Sequence, residues 1–117
     1  IFDNNLDIFT KSKVDGFSSI VIFDFKNNSV SRPFDEAFKK NNVQTLTGGL
    51  HTILENGDAF VELTDAGRLI RIDKDGNIKW EYINRASDNK IYLLNWSRFY
   101  DNLDEKFLNK IKNKNCD

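Results

Sequence analysis

Few residues in this chain have the side chains and spacing that chemistry requires, and His51 stands first among them. It is the sole histidine, follows the Gly48-Gly49 pair and opens a short apolar run. An imidazole titrates near neutral pH, so His51 could act as acid, base or nucleophile, or else be a hydrogen-bonded structural histidine. Two arginines form a second group. Arg85 lies in Asn84-Arg85-Ala86 and Arg98 in Trp96-Ser97-Arg98. Guanidinium groups hold oxyanions through paired hydrogen bonds, so two on one rim would suit a sulfate or phosphate ester. Asp73-Lys-Asp-Gly-Asn77 invites a calcium-loop reading. It has Asn84 where such a loop needs its bidentate glutamate, and its Asp-Gly step fits a tight hairpin better. The single cysteine, Cys116, can make no internal disulfide and no cysteine-based metal site. No metal site and no cofactor is expected: there is no phosphate-binding glycine loop, no histidine pair and no nucleophile elbow.

The elements that must position these groups are mainly strands. Three turn signals, Glu55-Asn-Gly-Asp58, Asp65-Ala-Gly67 and Asp73-Lys-Asp-Gly-Asn77, separate four apolar-rich runs over 50–54, 59–64, 68–73 and 78–84. Each has the length of an ordinary strand, so together they predict one antiparallel four-stranded sheet. With Gly in every turn and Trp80 in the last strand, the unit reads as one blade of a β-propeller. His51 would then open the innermost strand, where a propeller's channel lies. Trp80 and Tyr82, in phase on a strand, read as packing between sheets.

Before the blade, 18–26 is the strongest β signal, turning at Asn27-Asn-Ser29 into a second strand that Pro33 closes. Between Pro33 and Thr45, Phe34 and Phe38 four residues apart, with Asp35 and Glu36 before Lys39 and Lys40, predict a short helical turn. After the blade, 91–99 reads as a strand of the next blade. Asn102 and Glu105 suggest a capping box for a terminal helix with Phe107, Leu108 and Ile111 on one face. The expected fold is all-β, a partial β-propeller of antiparallel four-stranded blades with a short C-terminal α-helix. It divides into strands of one blade over 1–33, a connector over 34–47, a complete blade over 48–84, a strand over 91–99 and a helix over 102–114.

Bulk numbers set limits. A propeller of four or more blades at roughly 40 residues each needs at least ~160 residues, and this chain has 117. A fragment of a longer protein is therefore expected, with exposed strand edges that would promote dimerisation or aggregation. A net charge of -1 at 30% charged residues leaves no electrostatic footprint for nucleic acid. No window approaches the ~20 apolar residues of a membrane span.

The succession Gly49-Leu-His-Thr-Ile-Leu-Glu-Asn-Gly-Asp58, Phe60-Val-Glu-Leu-Thr64, Gly67-Arg-Leu69, Asp73-Lys-Asp-Gly76, Trp80-Glu-Tyr-Ile-Asn-Arg85 and Trp96-Ser-Arg98 resembles the C-terminal part of arylsulfotransferase-like β-propeller proteins. Ile1-Phe-Asp-Asn-Asn5 and Val21-Ile-Phe-Asp-Phe25 resemble earlier strands of that domain. The resemblance implies sulfuryl transfer from a phenolic sulfate ester to another phenol, through a histidine that carries the group transiently, in a periplasmic or envelope-associated setting. The family's main nucleophilic histidine is expected just ahead of the strand like 1–5, so the piece in hand would be inactive alone. By the same resemblance His51, Asn84, Arg85 and Arg98 become channel-lining or rim residues for an aryl sulfate or phenol. The chain has Glu62-Leu63 where the family often has two acidic residues, and Asp65 where it has Asn. The competing reading is a non-catalytic propeller segment that serves as scaffold or interaction module.

Overall fold

The structure, a computed structural model, describes residues 1–5 and 16–113. Cys116, and the last residue of the helix expected over 102–114, lie outside the described residues. The described strands form three antiparallel sheets, of two, two and four strands, with two short helices. No ring closes among them.

The four-stranded sheet consists of β5 (Leu50–Ile53), β6 (Ala59–Leu63), β7 (Arg68–Ile72) and β8 (Ile78–Ile83), paired strictly in chain order. Its bounds fall within a residue of those expected from the turn signals. At the second turn Gly67 has φ +56°, and a Cβ there would stand 2.2 Å from the Tyr92 carbonyl oxygen, so both the left-handed backbone and the close approach demand glycine. At the third turn, Asp73 accepts from the Asn77 backbone N–H at 2.8 Å and pairs with Lys79 at 2.8 Å, which makes it a hairpin staple. A register shift at Arg71/Ile72 marks a bulge against β8.

Side chains alternate across a strand, so the register assigns each to a face. Val61, opposite His51 on β5 and Ile70 on β7, lies on one face with Ala59, Leu63 and Ile72. Phe60, Glu62, Leu69 and Arg71 lie on the other. The first face carries the core. Ala59, Val61, Leu63, Ile70 and Ile72 pack with Ile20, Phe34, Ala37, Phe38 and Val43.

The cover over that face comes from the N-terminal third. Helix α1 (Asp35–Lys40) has Asp35 and Glu36 in its first turn and Lys39 and Lys40 in its last, matching the helix dipole at both ends. Phe34 and Phe38, one turn apart, meet with ring centroids 5.9 Å apart and are both buried. The connector expected at 34–47 is thus part of the core as well as a link.

The long strand expected at 18–26 is divided. β2 (Ser19–Ile20) pairs with β1 (Phe2–Asp3), whereas β3 (Ile22–Asp24) forms a separate hairpin with β4 (Ser29–Ser31). Val21 sits at the division, its N–H donating to the Ile1 carbonyl at 2.8 Å. Ser18, Ser19 and Ile20 are buried, while Ile22 and Phe23 are exposed, so one β-prone run serves two environments.

Beyond β8 the strand expected over 91–99 does not form. One isolated bridge pairs Ile91 with Arg85, and from there the segment runs back over the second face of the sheet. The Leu94 N–H donates to the Thr64 carbonyl at 3.1 Å, and Phe99 meets Phe60 with centroids 5.5 Å apart. That bridge lies beyond the end of β8, so among the described residues the apolar run adds no strand to the sheet, and its aromatic end caps a face instead. Helix α2 (Glu105–Lys112) is capped by Asp104, whose side chain accepts from the Lys106 N–H at 2.7 Å. Asp104 takes the role expected of Asn102 because it stands directly before the first helical residue, in reach of the orphan N–H groups.

Candidate functional site

His51 projects from β5 on the core face, opposite Val61. Its ring stacks on Phe2 at 5.9 Å and 28°. Half-burial pushes the imidazole below its ordinary value, assisted by the positive charge of the Ile1 amino group. A depressed value keeps the ring neutral at pH 7, the form in which a nitrogen lone pair can attack or accept a proton.

The other three sequence candidates lie after β8 and are held by local contacts. Asn84 donates through Nδ2 to the carbonyls of Tyr92 and Leu93, each at 3.2 Å, and accepts from the Tyr82 hydroxyl at 3.3 Å. It clasps the return segment to the end of the sheet. Arg85 donates to the Asn89 carbonyl at 3.1 Å and to its side-chain oxygen at 3.0 Å. Arg98 donates to the carbonyls of Trp96 and Ser97, at 3.3 and 3.1 Å, with its guanidinium 5.3 Å from the centre of the Trp96 ring. Asn84 and Arg85 are neighbours in the chain. Among the described residues, no hydrogen bond or ring contact joins His51 to Asn84, Arg85 or Arg98.

A concave site forms instead on the second face of the sheet. A cavity of about 280 Å³ is lined by Gly48, Gly49, Leu50, Glu62, Thr64, Asn95 and Trp96. Glu62 is only 2% exposed. Its Oε1 accepts from the Thr64 hydroxyl at 3.1 Å, and its Oε2 from the Ser97 backbone N–H at 2.7 Å. The Thr64 hydroxyl in turn accepts from the Gly49 N–H at 3.0 Å. A Cβ on Gly48, where φ is +67°, would stand 2.7 Å from that hydroxyl, so the bare glycine wall keeps the chain of hydrogen bonds intact.

Trp96 forms part of the opposite wall. It is 70% exposed and has φ +63°, a conformation that costs a bulky L-residue about 1–2 kcal/mol. Strain of this kind gathers at sites where function holds a side chain in place.

Neither Glu62 nor Trp96 was singled out from sequence as a site residue. A signal was present in Phe60-Val-Glu-Leu63, where one carboxylate interrupts an apolar strand. A charged residue at the centre of a buried strand needs partners, and those partners are supplied here by residues two and 35 positions away. The dependence on Ser97 could not be read locally.

Among the described residues no group of three or more His, Cys, Asp or Glu side chains could hold a metal ion. No helix among them is long and apolar enough to cross a membrane.

Comparison with known proteins gives a family. The family model described as Arylsulfotransferase (ASST) matches residues 1–85, a span that takes in β1 through β8, α1, His51 and Glu62. No curated protein and no solved structure gives a significant match. Since the match extends over well more than half of the chain and includes the whole four-stranded sheet, the chain belongs to the arylsulfotransferase family.

Proposed function

We propose that this chain is the C-terminal part of a β-propeller in an arylsulfotransferase-like protein that moves a sulfuryl group from one phenolic ester to another phenol. The observation that carries the reading is the family match over residues 1–85. The pairing of β5 to β8 in chain order is what a propeller blade requires, and it supports the same architecture.

The reaction needs a neutral nitrogen nucleophile. Its lone pair forms an N–S bond as the S–O bond to the donor phenol breaks, and the departing phenolate takes a proton from an acid. The acceptor phenol then gives up its proton, attacks sulfur and releases the imidazole. In this proposal the nucleophile is a histidine of the parent protein preceding the strand like β1. His51, neutral beside Phe2, is a base lining the channel, and Asn84, Arg85 and Arg98 lie on the rim toward the sulfate oxygens. The 117-residue chain by itself would have no transfer activity.

Transfer from p-nitrophenyl sulfate to phenol by the full-length protein tests this. His51→Ala should lower kcat at least 100-fold with the fold retained, the range a positioned acid or base contributes. An unchanged rate makes His51 structural.

A second reading draws on a different observation. Arg85 and Arg98 are occupied by local carbonyls, and Trp80 and Tyr82 stand exposed on β8. These features favour a non-catalytic scaffold or interaction module. Absence of any transfer activity in the full-length protein, together with retention of a partner lost on Trp80→Ala, would decide for it.

A further inference from the structure

We propose that the cavity between β5, β6 and residues 95–97 binds a small organic ammonium ion, with the Glu62 carboxylate as counter-charge and the Trp96 indole as stacking wall.

The argument begins with charge. Both donors that reach Glu62, the Thr64 hydroxyl and the Ser97 N–H, are neutral. No ion pair among the described residues includes Glu62. Holding a carboxylate ionised out of water with only neutral donors is costly, and a cation in the cavity would offset that cost. A carboxylate offers about four lone-pair positions, and two are taken here, which leaves acceptor capacity toward the cavity that Glu62 lines.

The walls fit the same class of ligand. Gly48 and Gly49 line the cavity beside Glu62 with backbone alone, because Thr64 and Phe2 fill the space where their side chains would stand. Trp96 is exposed and held in a left-handed backbone conformation at the mouth. An indole face is the best aromatic surface for a cation; the Arg98 guanidinium stands over one face of Trp96, 5.3 Å from the ring centre, so the ammonium would stack on the other. A volume of about 280 Å³ admits an amine with one aromatic ring or a short aliphatic chain. A neutral phenol could occupy the same space and accept stacking, but it brings no positive charge to the carboxylate. The pocket opens on the face of the sheet opposite His51, so amine binding and sulfuryl transfer can succeed or fail separately.

The test titrates phenethylammonium into the full-length protein, followed by tryptophan fluorescence and calorimetry, with 2-phenylethanol as the uncharged match. Saturable binding of the ammonium, at least tenfold tighter than the alcohol, is expected. Glu62→Gln should bring the two ligands within twofold of each other, and Trp96→Ala should weaken the ammonium at least fivefold. Equal affinity for ammonium and alcohol in the unmodified protein, or no saturable binding of the ammonium, overturns the proposal. That comparison needs no variant, so it stands even if Glu62→Gln fails to fold.

Discussion

The backbone N–H of Ser97 reaches back 35 residues to donate to Glu62 Oε2 at 2.7 Å, tying the segment after β8 to the centre of the sheet. A hydrogen bond to a charged acceptor contributes about 1.5–3 kcal/mol. Glu62→Ala should therefore destabilise the protein by that order and free residues 91–100 from the sheet. Limited proteolysis should show new cleavage within that segment before any within β6. Cleavage first in β6 would mean that the segment is held by other contacts.

Gly67 offers a sharper comparison. Both Gly57 and Gly67 have positive φ, but a Cβ at 57 meets nothing within 4 Å, whereas one at 67 meets the Tyr92 carbonyl at 2.2 Å. Gly57→Ala should cost only the backbone strain, about 1–2 kcal/mol. Gly67→Ala should cost at least about 2 kcal/mol more, because a backbone atom must move. Equal melting temperatures for the two variants would contradict the close passage of Tyr92.

The pH dependence of stability should carry a signature of His51. Its folded-state pKa lies below 6.5, first through burial. Between that depressed value and 6.5 the unfolded chain binds more protons than the folded one, so stability rises with pH through this window and is lost as pH falls through it. Denaturant titrations from pH 5 to 8 should show this slope, and His51→Gln should remove it. The part due to the Ile1 amino group should shrink when residues precede Ile1. A slope of opposite sign would mean that the folded form stabilises the imidazolium.

The weight of α1 in the core can be measured at Phe38, which is fully buried against the sheet. Phe38→Ala should cost about 3–5 kcal/mol. Phe107→Ala, on the exposed face of α2, should cost less than about 0.5 kcal/mol. Similar losses at the two positions would mean that α2 docks against the rest of the molecule.

The sheet was legible because its information is local: the Gly-bearing turns set strand lengths, and the strands then pair in chain order. The helix at Phe34 to Lys40 was legible for the same reason, through its charge order and aromatic spacing. What α1 covers was hidden, since that depends on Ile20 and Val43 joining it across the sheet. The division of 18–26 at Val21 depended on the competing partners Ile1 and Phe2. The run 91–99 has strand composition, yet after Arg85 the chain turns back to lay Phe99 on Phe60, and nothing within the run itself encodes that choice. His51 could be placed on β5 from its glycine neighbours. The hydrogen-bonded surroundings of Glu62 could not, because Ser97 arrives from a different part of the chain.

Burial across the four-stranded sheet is uneven: every residue of β6 is buried, and every residue of β8 is exposed. In kinetic terms the sheet has a hinge side and a free side. Opening should begin at β8 and reach β6 last, so amide exchange would be fastest along Ile78–Ile83 and slowest along Ala59–Leu63. A partner bound along β8 would then act as a latch, setting how fast the sheet opens without touching its core.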